Sequence, residues 1–401
     1  METTTYKISD IGEVVGGGTP STANSDFWGG DIPWISPKDL TGYKSVYISH
    51  GESFLNKTGL ESGTKLLPKD TVLFSSRAPI GYVAIASNPI CTNQGFKSII
   101  CNKEIINPLF LYYYIKGNLD YIKLFGTGAT FPEISGAAMR KIKVQIPSLP
   151  TQQKIASILS AYDRLIENNT RRIRLLEQMA ENLYKEWFVR FRFPEHENVE
   201  IVNGLPKGWE IKIIADFGRI ETGKTPPMSN RDLYGGDILF VKTPDMHGKL
   251  FVRSTSETLS QEGNNYQRTK LLPINSIMVS CIGTAGIVSI NTNLAHTNQQ
   301  INSIILNNLE DLEWLYYVCR QLKPTIELFG ATGATMTNLS KGKFEKLKIV
   351  VPKVDFRGAF HKRIRPYFKE IYALEQQNTF LTRQRDLLLP RLMSGKLEVK
   401  S

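Results

Sequence analysis

The sequence predicts an α+β protein in which two similar mixed α/β domains are joined by two long helices that pair as an antiparallel coiled coil. Such a chain would be an internal repeat with pseudo-two-fold symmetry. Two observations support this prediction. Motifs of the first half recur about 205 residues later, and each copy leads into a segment whose apolar residues recur in steps of three and four. A repeat this long indicates a duplicated domain, because the units of a solenoid are about 20 to 50 residues long.

Short motifs make the duplication visible. The run Trp28-Gly29-Gly30-Asp31-Ile32 recurs as Tyr234-Gly235-Gly236-Asp237-Ile238, and Thr92-Asn93-Gln94 recurs as Thr297-Asn298-Gln299. The repeat places a first domain at 1–150, a first long helix at 151–189, a linker at 190–208, a second domain at 209–353, a second helix at 354–389 and a tail at 390–401. Turn-rich composition and short apolar runs indicate mixed helix and strand in both domains.

Each long helix carries a heptad seam, which needs an apolar partner. The seam residues are Leu159, Tyr162, Ile166, Asn169, Ile173 and Leu176 in the first helix, and Tyr367, Ile371, Leu374, Asn378, Leu381 and Leu388 in the second. Because both seams lie on one chain, the simplest way to bury them is against each other. We favour an antiparallel pair, since one two-fold operation then relates domain to domain and helix to helix and places the domains at opposite ends.

Three details of the helices can be predicted. Thr151 is a candidate N-cap, and the absence of proline from there to Pro194 allows about 38 helical residues. Pro366 should either kink the second helix or restart it as a first-turn residue. In an antiparallel pair Asn169 and Asn378 would lie within about a turn of each other, where buried amides fix the register. The alternative is that both are solvated on separate helices.

Composition narrows the class of partner. The formal net charge of +11 and the sequence pI near 9.3 favour a polyanion, although a basic but indifferent surface is the alternative. The four cysteines show no Cys-x-x-Cys spacing, so we expect buried thiols in a reducing cytosol and no metal site. We see no apolar secretion signal and no membrane-spanning run, which favours a cytoplasmic protein.

One motif suggests a different function. Residues 218–225 read Gly-Arg-Ile-Glu-Thr-Gly-Lys-Thr and satisfy the phosphate-loop pattern of nucleotide hydrolases. That pattern needs a helix that begins at the Lys-Thr pair, yet Pro226 and Pro227 follow at once and disfavour one. The first copy also has Gly18 in place of Lys224. Lys224 is therefore better interpreted as a contact to a phosphate backbone or as a solvated charge.

The order of these motifs resembles the specificity subunit of type I restriction-modification systems, over essentially the whole chain. The resemblance is carried by Gly18-Thr19-Pro20 with Trp28-Gly29-Gly30, by Thr92-Asn93-Gln94-Gly95, by Gln152-Gln153-Lys154-Ile155-Ala156 before the first seam, and by the doubling of domain and helix. The chain departs from the pattern at Gln300, where the first copy has Gly95, and at the start of the second helix, which lacks the Gln-Gln-Lys-Ile-Ala run.

The resemblance implies a subunit without catalytic residues. Each domain would be a target recognition domain that reads one half of a split site in double-stranded DNA, while the helices set the spacing and dock two methyltransferase subunits. Restriction subunits, with translocase and nuclease activity, would join that core. The resemblance also implies that S-adenosylmethionine, ATP and Mg are bound by the partner subunits and that no cofactor is bound by this chain.

Comparison of the two copies gives candidate DNA contacts. Residues identical in both copies should build the framework or hold phosphates, whereas unlike residues at equivalent positions should touch bases. The candidates are Ser36, Lys38, Ser76, Arg77, Asn93, Gln94, Lys97, Thr130, Lys224, Lys242, Thr243, Thr284, Asn298, Gln299, Asn302 and Thr335. Any one of them could instead be an ordinary exposed loop residue, and the Thr-Asn-Gln runs could instead cap turns. A second functional class, a coiled-coil scaffold with protein- or glycan-binding domains, also fits the domain order.

Overall fold

A computed structural model describes residues 2–128, 130, 132–330 and 338–399. The chain divides into two compact units. Unit 1 contains Met1–Arg171 with Glu375–Ser401, and unit 2 contains Arg172–Leu374. Each long helix is therefore shared, with one part in each unit.

Unit 1 contains a five-stranded sheet, a three-stranded sheet and a two-stranded ribbon among its described residues. The strands are β1 (Thr4–Lys7), β2 (Gly12–Gly16), β3 (Trp28–Ile35), β4 (Tyr47–Ile48), β5 (Ser53–Leu55), β6 (Val72–Phe74), β7 (Val83–Ala86), β8 (Cys91–Thr92), β9 (Lys97–Cys101) and β10 (Lys143–Ile146). Their orders are β2-β9-β6-β7-β4, β5-β3-β8 and β1-β10. The central strand β6 is apolar and buried throughout, as expected for a strand covered on both faces.

Unit 2 repeats this topology strand for strand. Its strands are β11 (Ile201–Val202), β12 (Leu205–Pro206), β13 (Glu210–Ile213), β14 (Gly218–Thr222), β15 (Tyr234–Val241), β16 (Phe251–Val252), β17 (Glu257–Leu259), β18 (Ile277–Ser280), β19 (Val288–Asn291), β20 (Ala295–Thr297), β21 (Ile301–Leu306) and β22 (Lys348–Val351). The orders β14-β21-β18-β19-β16, β17-β15-β20 and β13-β22 match those of unit 1, and the linker adds the hairpin β11-β12. The internal repeat predicted from the sequence is confirmed.

Short helices complete both units. In unit 1 they are Ile8–Ile11, Lys57–Glu61, Pro108–Gly117, Leu119–Lys123 and Gly136–Lys141; in unit 2 they are Thr243–Met246, Gln261–Tyr266, Leu312–Gln321, Lys323–Gly330 and Lys341–Glu345. One-turn 3₁₀ helices occur at Ser25–Phe27, Pro37–Leu40, His196–Asn198, Ile214–Phe217, Arg231–Leu233, Arg268–Lys270 and Leu309–Asp311. The helices Pro108–Gly117 and Leu312–Gln321 occupy equivalent places in the repeat and bury aromatic residues in their units.

The repeated Gly-Gly pair has a structural cause. In both units the strand that contains it bulges, between Trp28 and Ile32 in β3 and between Tyr234 and Ile238 in β15. Gly29 and Gly235 have φ of 85° and 87°, a left-handed conformation that favours glycine. A Cβ on Gly30 would lie 2.5 Å from the Leu55 carbonyl oxygen, so the second glycine permits close approach of the neighbouring strand.

The cores join the sheets to the long helices. In unit 1 one core packs Phe74 and Ile99 of the sheet and Tyr113 of the helix Pro108–Gly117 together with Leu159 and Leu392 of the long helices. In unit 2 the corresponding core contains Trp314 and Tyr317 together with Trp187 and Phe360 of the long helices. Each globular part therefore uses the long helices to cover one of its apolar faces.

The long helices extend from Leu149 to Tyr184 and from Val354 to Met393. The first begins two residues earlier than predicted, so Thr151 lies in its first turn and the prediction of Thr151 as N-cap is wrong. It continues as a π-helical turn at Lys185–Val189, which buries Trp187 and Phe188. The second helix continues through Pro366, so this proline does not restart it, and it ends four residues beyond the predicted 389.

In unit 1 the two helices run antiparallel. Asp163 pairs with Arg385, whereas Asn169, further along the first helix, pairs with Asn378, earlier in the second. The Asn169 side chain is 4% exposed, and its amide donates to Asn378 Oδ1 at 3.0 Å and to Gln377 Oε1 at 2.8 Å. Of the predicted seam residues in unit 1, Leu159 and Asn169 are buried and Tyr162, Ile166, Asn378, Leu381 and Leu388 are half-buried.

Unit 2 shows the same direction of pairing. Arg172 forms an ion pair with Glu370 at 2.6 Å, and Tyr184 contacts Phe360. Ile371 and Leu374 are buried, and Ile173, Leu176 and Tyr367 are half-buried. Antiparallel pairing of the helices is thus present within each unit, as predicted.

Two expectations about composition can be compared with the structure. All four cysteines are free; Cys91, Cys281 and Cys319 are buried as expected, whereas Cys101 is only half-buried. Among the described helices, none combines the length and the apolar character that crossing a bilayer requires.

Candidate nucleic-acid interface

In both units, the loop after the first strand of the five-stranded sheet crosses the Thr-Asn-Gln turn at close range. The Gly18 amide donates to the Thr92 carbonyl at 2.8 Å, and the Lys224 amide donates to the Thr297 carbonyl at 2.9 Å. A Cβ on Gly17 would lie 2.0 Å from the Asn93 carbonyl oxygen, and one on Gly223 would lie 2.2 Å from that of Thr297. Glycine is required here because the two backbones touch.

The Thr-Asn-Gln residues play the same roles in both units. Asn93 Oδ1 accepts from the Gly95 amide at 2.8 Å, and Asn298 Oδ1 accepts from the Gln300 amide at 3.2 Å, so both asparagines cap their own turn. Of the two interpretations of these asparagines, the structure favours turn capping over DNA contact.

The two glutamines that follow are exposed and oriented. Gln94 Oε1 accepts from the Thr19 hydroxyl, and Gln299 Oε1 accepts from the Thr225 hydroxyl at 2.6 Å. In each unit the carbonyl end of the carboxamide is therefore engaged, and the NH₂ end is the donor available to a ligand. Gln94 and Gln299 remain candidates for a contact that both units share, such as one to a phosphate oxygen.

Several loops of unit 1 converge on Gly95. The Gly95 carbonyl accepts from the amide and the hydroxyl of Ser76, at 2.7 and 3.1 Å. Ser76 is completely buried, so it holds the loop in place and does not face DNA, which corrects its assignment as a contact. We call the residues 17–20, 36–39, 76–79 and 92–97 the loop cluster of unit 1, and the equivalent residues 223–226, 242–245, 281–284 and 297–302 the loop cluster of unit 2.

Charged candidates of unit 1 meet at one carboxylate. Glu133 pairs with Lys97 at 3.2 Å and with Arg77 at 3.5 Å, and Lys97 also donates to the Gln94 carbonyl at 3.3 Å. The Arg77 and Glu133 side chains are 39% and 36% exposed, so solvent and ligands reach this cluster. Thr130, which lies close to Glu133 in sequence, is exposed.

Ser36 and Lys38 belong to a separate part of the loop cluster. Asp39 Oδ2 accepts from the Ser36 amide and hydroxyl at 2.7 Å each, which closes the turn at Pro37–Leu40. Burial raises the pKa of Asp39, but the hydrogen bonds from the Ser36 and Glu52 amides outweigh it and lower the pKa below its usual value. Lys38 forms an exposed pair with Glu52 at 2.9 Å, which leaves it free to exchange partners.

Unit 2 places uncharged groups where unit 1 has the charged cluster. Asn302 replaces Lys97 and is 3% exposed; its Oδ1 accepts from the Thr222 hydroxyl at 2.6 Å, and its Nδ2 donates to the Leu339 carbonyl at 3.3 Å. Asn302 therefore stabilises the fold, and its assignment as a DNA contact is also corrected. Thr243 is buried too and donates its hydroxyl to Gln300 Oε1 at 3.3 Å.

Three further candidates of unit 2 lie at the surface. Lys242 pairs with Glu257 at 2.8 Å and lies over the Phe240 ring, Thr284 is exposed, and Lys224 is exposed with its Nζ 4.7 Å from the centre of the Tyr266 ring. Thr335 lies outside the described residues.

Two functional candidates were not among the predicted contacts. Gln300 was visible in the sequence only as a departure from Gly95, and Glu133 appeared in no motif. Comparison of the two copies is what identifies them. Arg77 forms a backbone β-bridge with Glu133, and the equivalent residue Ile282 forms one with Asn338. The carboxylate of Glu133 in one copy corresponds to the amide of Asn338 in the other, so the two units differ in charge at this position.

The family model described as the type I restriction modification DNA specificity domain matches residues 1–178 and again 206–379. The type I restriction enzyme MjaIX specificity subunit of Methanocaldococcus jannaschii is 36% identical over 98% of this chain and 93% of that protein. The HindI specificity subunit of Haemophilus influenzae is 34% identical over 90% of this chain and 96% of that protein. The chain belongs to the family of type I restriction-modification specificity subunits.

A solved structure agrees with the fold. The S subunit of a type I restriction-modification system from M. genitalium has a TM-score of 0.66 with this chain at 15% sequence identity, covering 98% of this chain and 96% of that one. The specificity subunit described here therefore shares its architecture with a distant member of the family. As a specificity subunit it recognises DNA and is not itself the catalyst.

The nucleotide-binding interpretation of residues 218–225 fails on geometry. In this specificity subunit Gly218 lies in β14, Lys224 lies in a loop, and the next helical turn begins at Arg231. A phosphate loop needs strand, loop and helix in immediate succession, with the helix beginning at the Lys-Thr pair. The described residues also contain no group of three or more side chains suited to hold a metal ion.

Proposed function

We propose that each unit of this specificity subunit reads one half of a bipartite DNA target through its loop cluster. The main support for this proposal is that both loop clusters have the same hydrogen-bonded framework but carry different side chains at equivalent positions. Asn93 and Gln94 of unit 1 have the same roles as Asn298 and Gln299 of unit 2. By contrast, Arg77 corresponds to Ile282, and Gly95 corresponds to Gln300. Two different base sequences require this combination of a constant frame and variable reading groups.

Exposed apolar side chains on the long helices support the proposal that partner subunits dock there. Apolar side chains remain outside the seam, and about half of each is exposed: Leu165 (48%), Phe380 (55%) and Leu387 (54%) in unit 1, and Leu175 (46%) and Met179 (52%) in unit 2. Exposed apolar residues on otherwise charged helices are typical of protein interaction surfaces. We infer that methyltransferase subunits, one for each unit, cover these residues, and that restriction subunits join the complex.

The cofactors of the reaction belong, in this proposal, to the partner subunits. S-adenosylmethionine would be bound by the methyltransferase subunits, and ATP with Mg by the restriction subunits. The role of this chain would be to bring those subunits to the correct base, a task for the cytoplasm, where the DNA is.

The proposal can be tested with the complex of this chain and its methyltransferase subunits. We expect affinity for target DNA to fall about a thousand-fold or more between 50 and 200 mM salt if six to ten phosphates are contacted. A footprint should show two protected segments with unprotected base pairs between them, and methylome sequencing of cells that carry the operon should give a split motif. A single uninterrupted footprint, or an affinity insensitive to salt, would contradict the proposal.

A further inference from the structure

The same backbone hydrogen bonds place Gly95 and Gln300 at equivalent points of the two loop clusters. The Ser76 amide donates to the Gly95 carbonyl at 2.7 Å, and the Cys281 amide donates to the Gln300 carbonyl at 2.8 Å. The amides of Gly95 and Gln300 are in turn held by Asn93 and Asn298. The backbone is thus common to both units, and the difference between them lies in the side chains at and around this position.

In unit 2 the Gln300 side chain is held in one orientation. Because Asn298 Oδ1 accepts from the Gln300 amide, Asn298 Nδ2 is free to donate, and it donates to Gln300 Oε1 at 3.1 Å. The Thr243 hydroxyl donates to the same oxygen at 3.3 Å. The carbonyl end of Gln300 is therefore occupied, and its Nε2 is left as a fixed donor without a partner among the described residues of the cluster.

In unit 1 the equivalent position has no side chain, and a cation stands next to it. A Cβ placed on Gly95 would lie 3.7 Å from Arg77 Cγ and 3.4 Å from Pro37 Cγ. Arg77 shares Glu133 with Lys97. Since the pair Arg77–Glu133 is long and more than a third exposed, it contributes little to stability, and DNA can displace the carboxylate.

The two loop clusters therefore present different chemical groups at equivalent positions, Gly95 and Gln300, of the same backbone framework. Arg77, Lys97 and Glu133 correspond to Ile282, Asn302 and Asn338, so this charged group of unit 1 is replaced by uncharged residues in unit 2. An arginine guanidinium can donate two parallel hydrogen bonds to guanine O6 and N7. A glutamine whose oxygen is already occupied can only donate, so it cannot form the bidentate pair with adenine and suits a single acceptor such as O4 of thymine or N7 of a purine.

We propose that this point of the frame is a base-reading centre in each unit, where Arg77 of unit 1 reads a guanine and Gln300 of unit 2 reads one base through an acceptor in the major groove. The inference rests on the proposed function and adds to it the residues and the base chemistry. Glu133 is then a positioning residue that keeps Arg77 near Gly95 until DNA binds.

The test uses the complex with methyltransferase subunits and a library in which each position of both half-sites is varied. Arg77→Ile installs the residue of unit 2, and we expect it to relax one base-pair position in one half-site, with discrimination there falling about 10- to 100-fold. Gln300→Glu replaces the donor with an acceptor and should relax one position in the other half-site by a similar factor.

A matched control is the neighbouring change Gln299→Glu, which adds the same charge to a residue that both units share. It should weaken binding to all sequences evenly and leave the preference at every position intact. The untouched half-site in each variant reports that the complex is still assembled and folded.

The inference is overturned if Gln300→Glu weakens all sequences evenly, as the control does, or if Arg77→Ile leaves every position as selective as before. It is also overturned if either variant loses preference over a whole half-site, since that would show a structural role. A wild-type complex without any sequence preference would instead refute the proposed function.

Discussion

His296 is a titratable residue that unit 2 holds away from water. Its side chain is completely buried, and its Nε2 donates to Asn264 Oδ1 at 2.9 Å, since the carbonyl oxygen can only accept. Burial lowers the pKa of His296 to about 4, so the ring is neutral in the folded protein at pH 7. Unit 1 has Cys91 at the equivalent position.

This burial predicts an acid-sensitive unit 2. Between about pH 6.5 and pH 4 the unfolded state binds a proton that the folded state does not, so the stability contributed by neutral His296 is complete above pH 6.5 and is lost as the pH falls towards 4. The loss should be on the order of 2–3 kcal/mol. Thermal unfolding from pH 4.5 to 7.5 would measure it. His296→Cys should flatten the dependence, and an unchanged slope in that variant would assign it to other groups.

At the residue scale, the sequence predicted which residues could cap turns better than it predicted which side chains are buried. Asn93 and Asn298 could be recognised as possible turn caps because asparagine bonds its own backbone two residues further on. Ser76 and Asn302 could not be recognised as buried, since an alignment of two copies shows that positions differ but not which way the side chains point. Burial depends on strands that meet from distant parts of the chain, such as Ser75 beside Phe96.

The long helices show what heptad spacing predicts and what it does not. The spacing predicted the seam, whereas the antiparallel pairing, and with it the contact between Asn169 and Asn378, was predicted from the two-fold symmetry of the duplication. It did not predict the role of the Gln-Gln-Lys-Ile-Ala run, in which Gln152 donates to the Ile105 and Pro147 carbonyls at 2.9 Å each. In the second helix Arg357 stands at the equivalent place and pairs with Asp311 at 2.6 Å. The two helix starts thus differ because each fits its own unit.

The asparagine pair should couple the two helices. Asn169→Leu removes the donor to Asn378 and Gln377 within a seam, and we expect it to destabilise the protein by about 1–3 kcal/mol, because the remaining polar groups lose their partner. The double variant Asn169→Leu with Asn378→Leu should recover much of that loss, since the two leucines can pack together. Urea unfolding followed by circular dichroism would measure both.

Asn168→Leu is the matched control for this cycle, because Asn168 is the exposed neighbour of Asn169. It should change the free energy of unfolding by less than about 0.5 kcal/mol. If the single and double seam variants were equally unstable, the hydrogen bond would not couple the helices.

At the scale of the whole molecule the duplication determines what can be exchanged. The edges of the first globular part are β1 and β10, which pair from Thr4 with Ile146 to Lys7 with Lys143. An exchange that cuts between them would separate paired strands. Residues 4–146 are therefore the segment that keeps the strand pairs of the first globular part together, and residues 210–351 are its counterpart in unit 2.

We expect replacement of residues 4–146 by the equivalent segment of another specificity subunit to change one half of the DNA target and leave the other half intact. The physical reason is that each unit has its own cores and its own loop cluster. Methylome sequencing of cells with the hybrid complex would measure the outcome, and replacement of 210–351 is the reciprocal control. A change in both halves after a single exchange would contradict independent reading.

The domain repeat was predictable because it depends on residue identity at a constant offset. The meeting of the loops was not, because it depends on pairings such as the parallel register of Trp34 with Cys91, which no local pattern indicates. The sequence therefore located the reading domains, whereas the centre of each loop cluster at Gly95 and Gln300 became visible only in the structure.

The division of the chain has a consequence for biosynthesis. Unit 2 is one continuous stretch, but unit 1 is completed by residues from Glu375 onward, among them Leu392, which packs into its core. During translation the second half-site reader has all of its residues available before the first is complete. A ribosome that stops at codon 374 would release a protein with every residue of unit 2 but with unit 1 lacking its second long-helix segment.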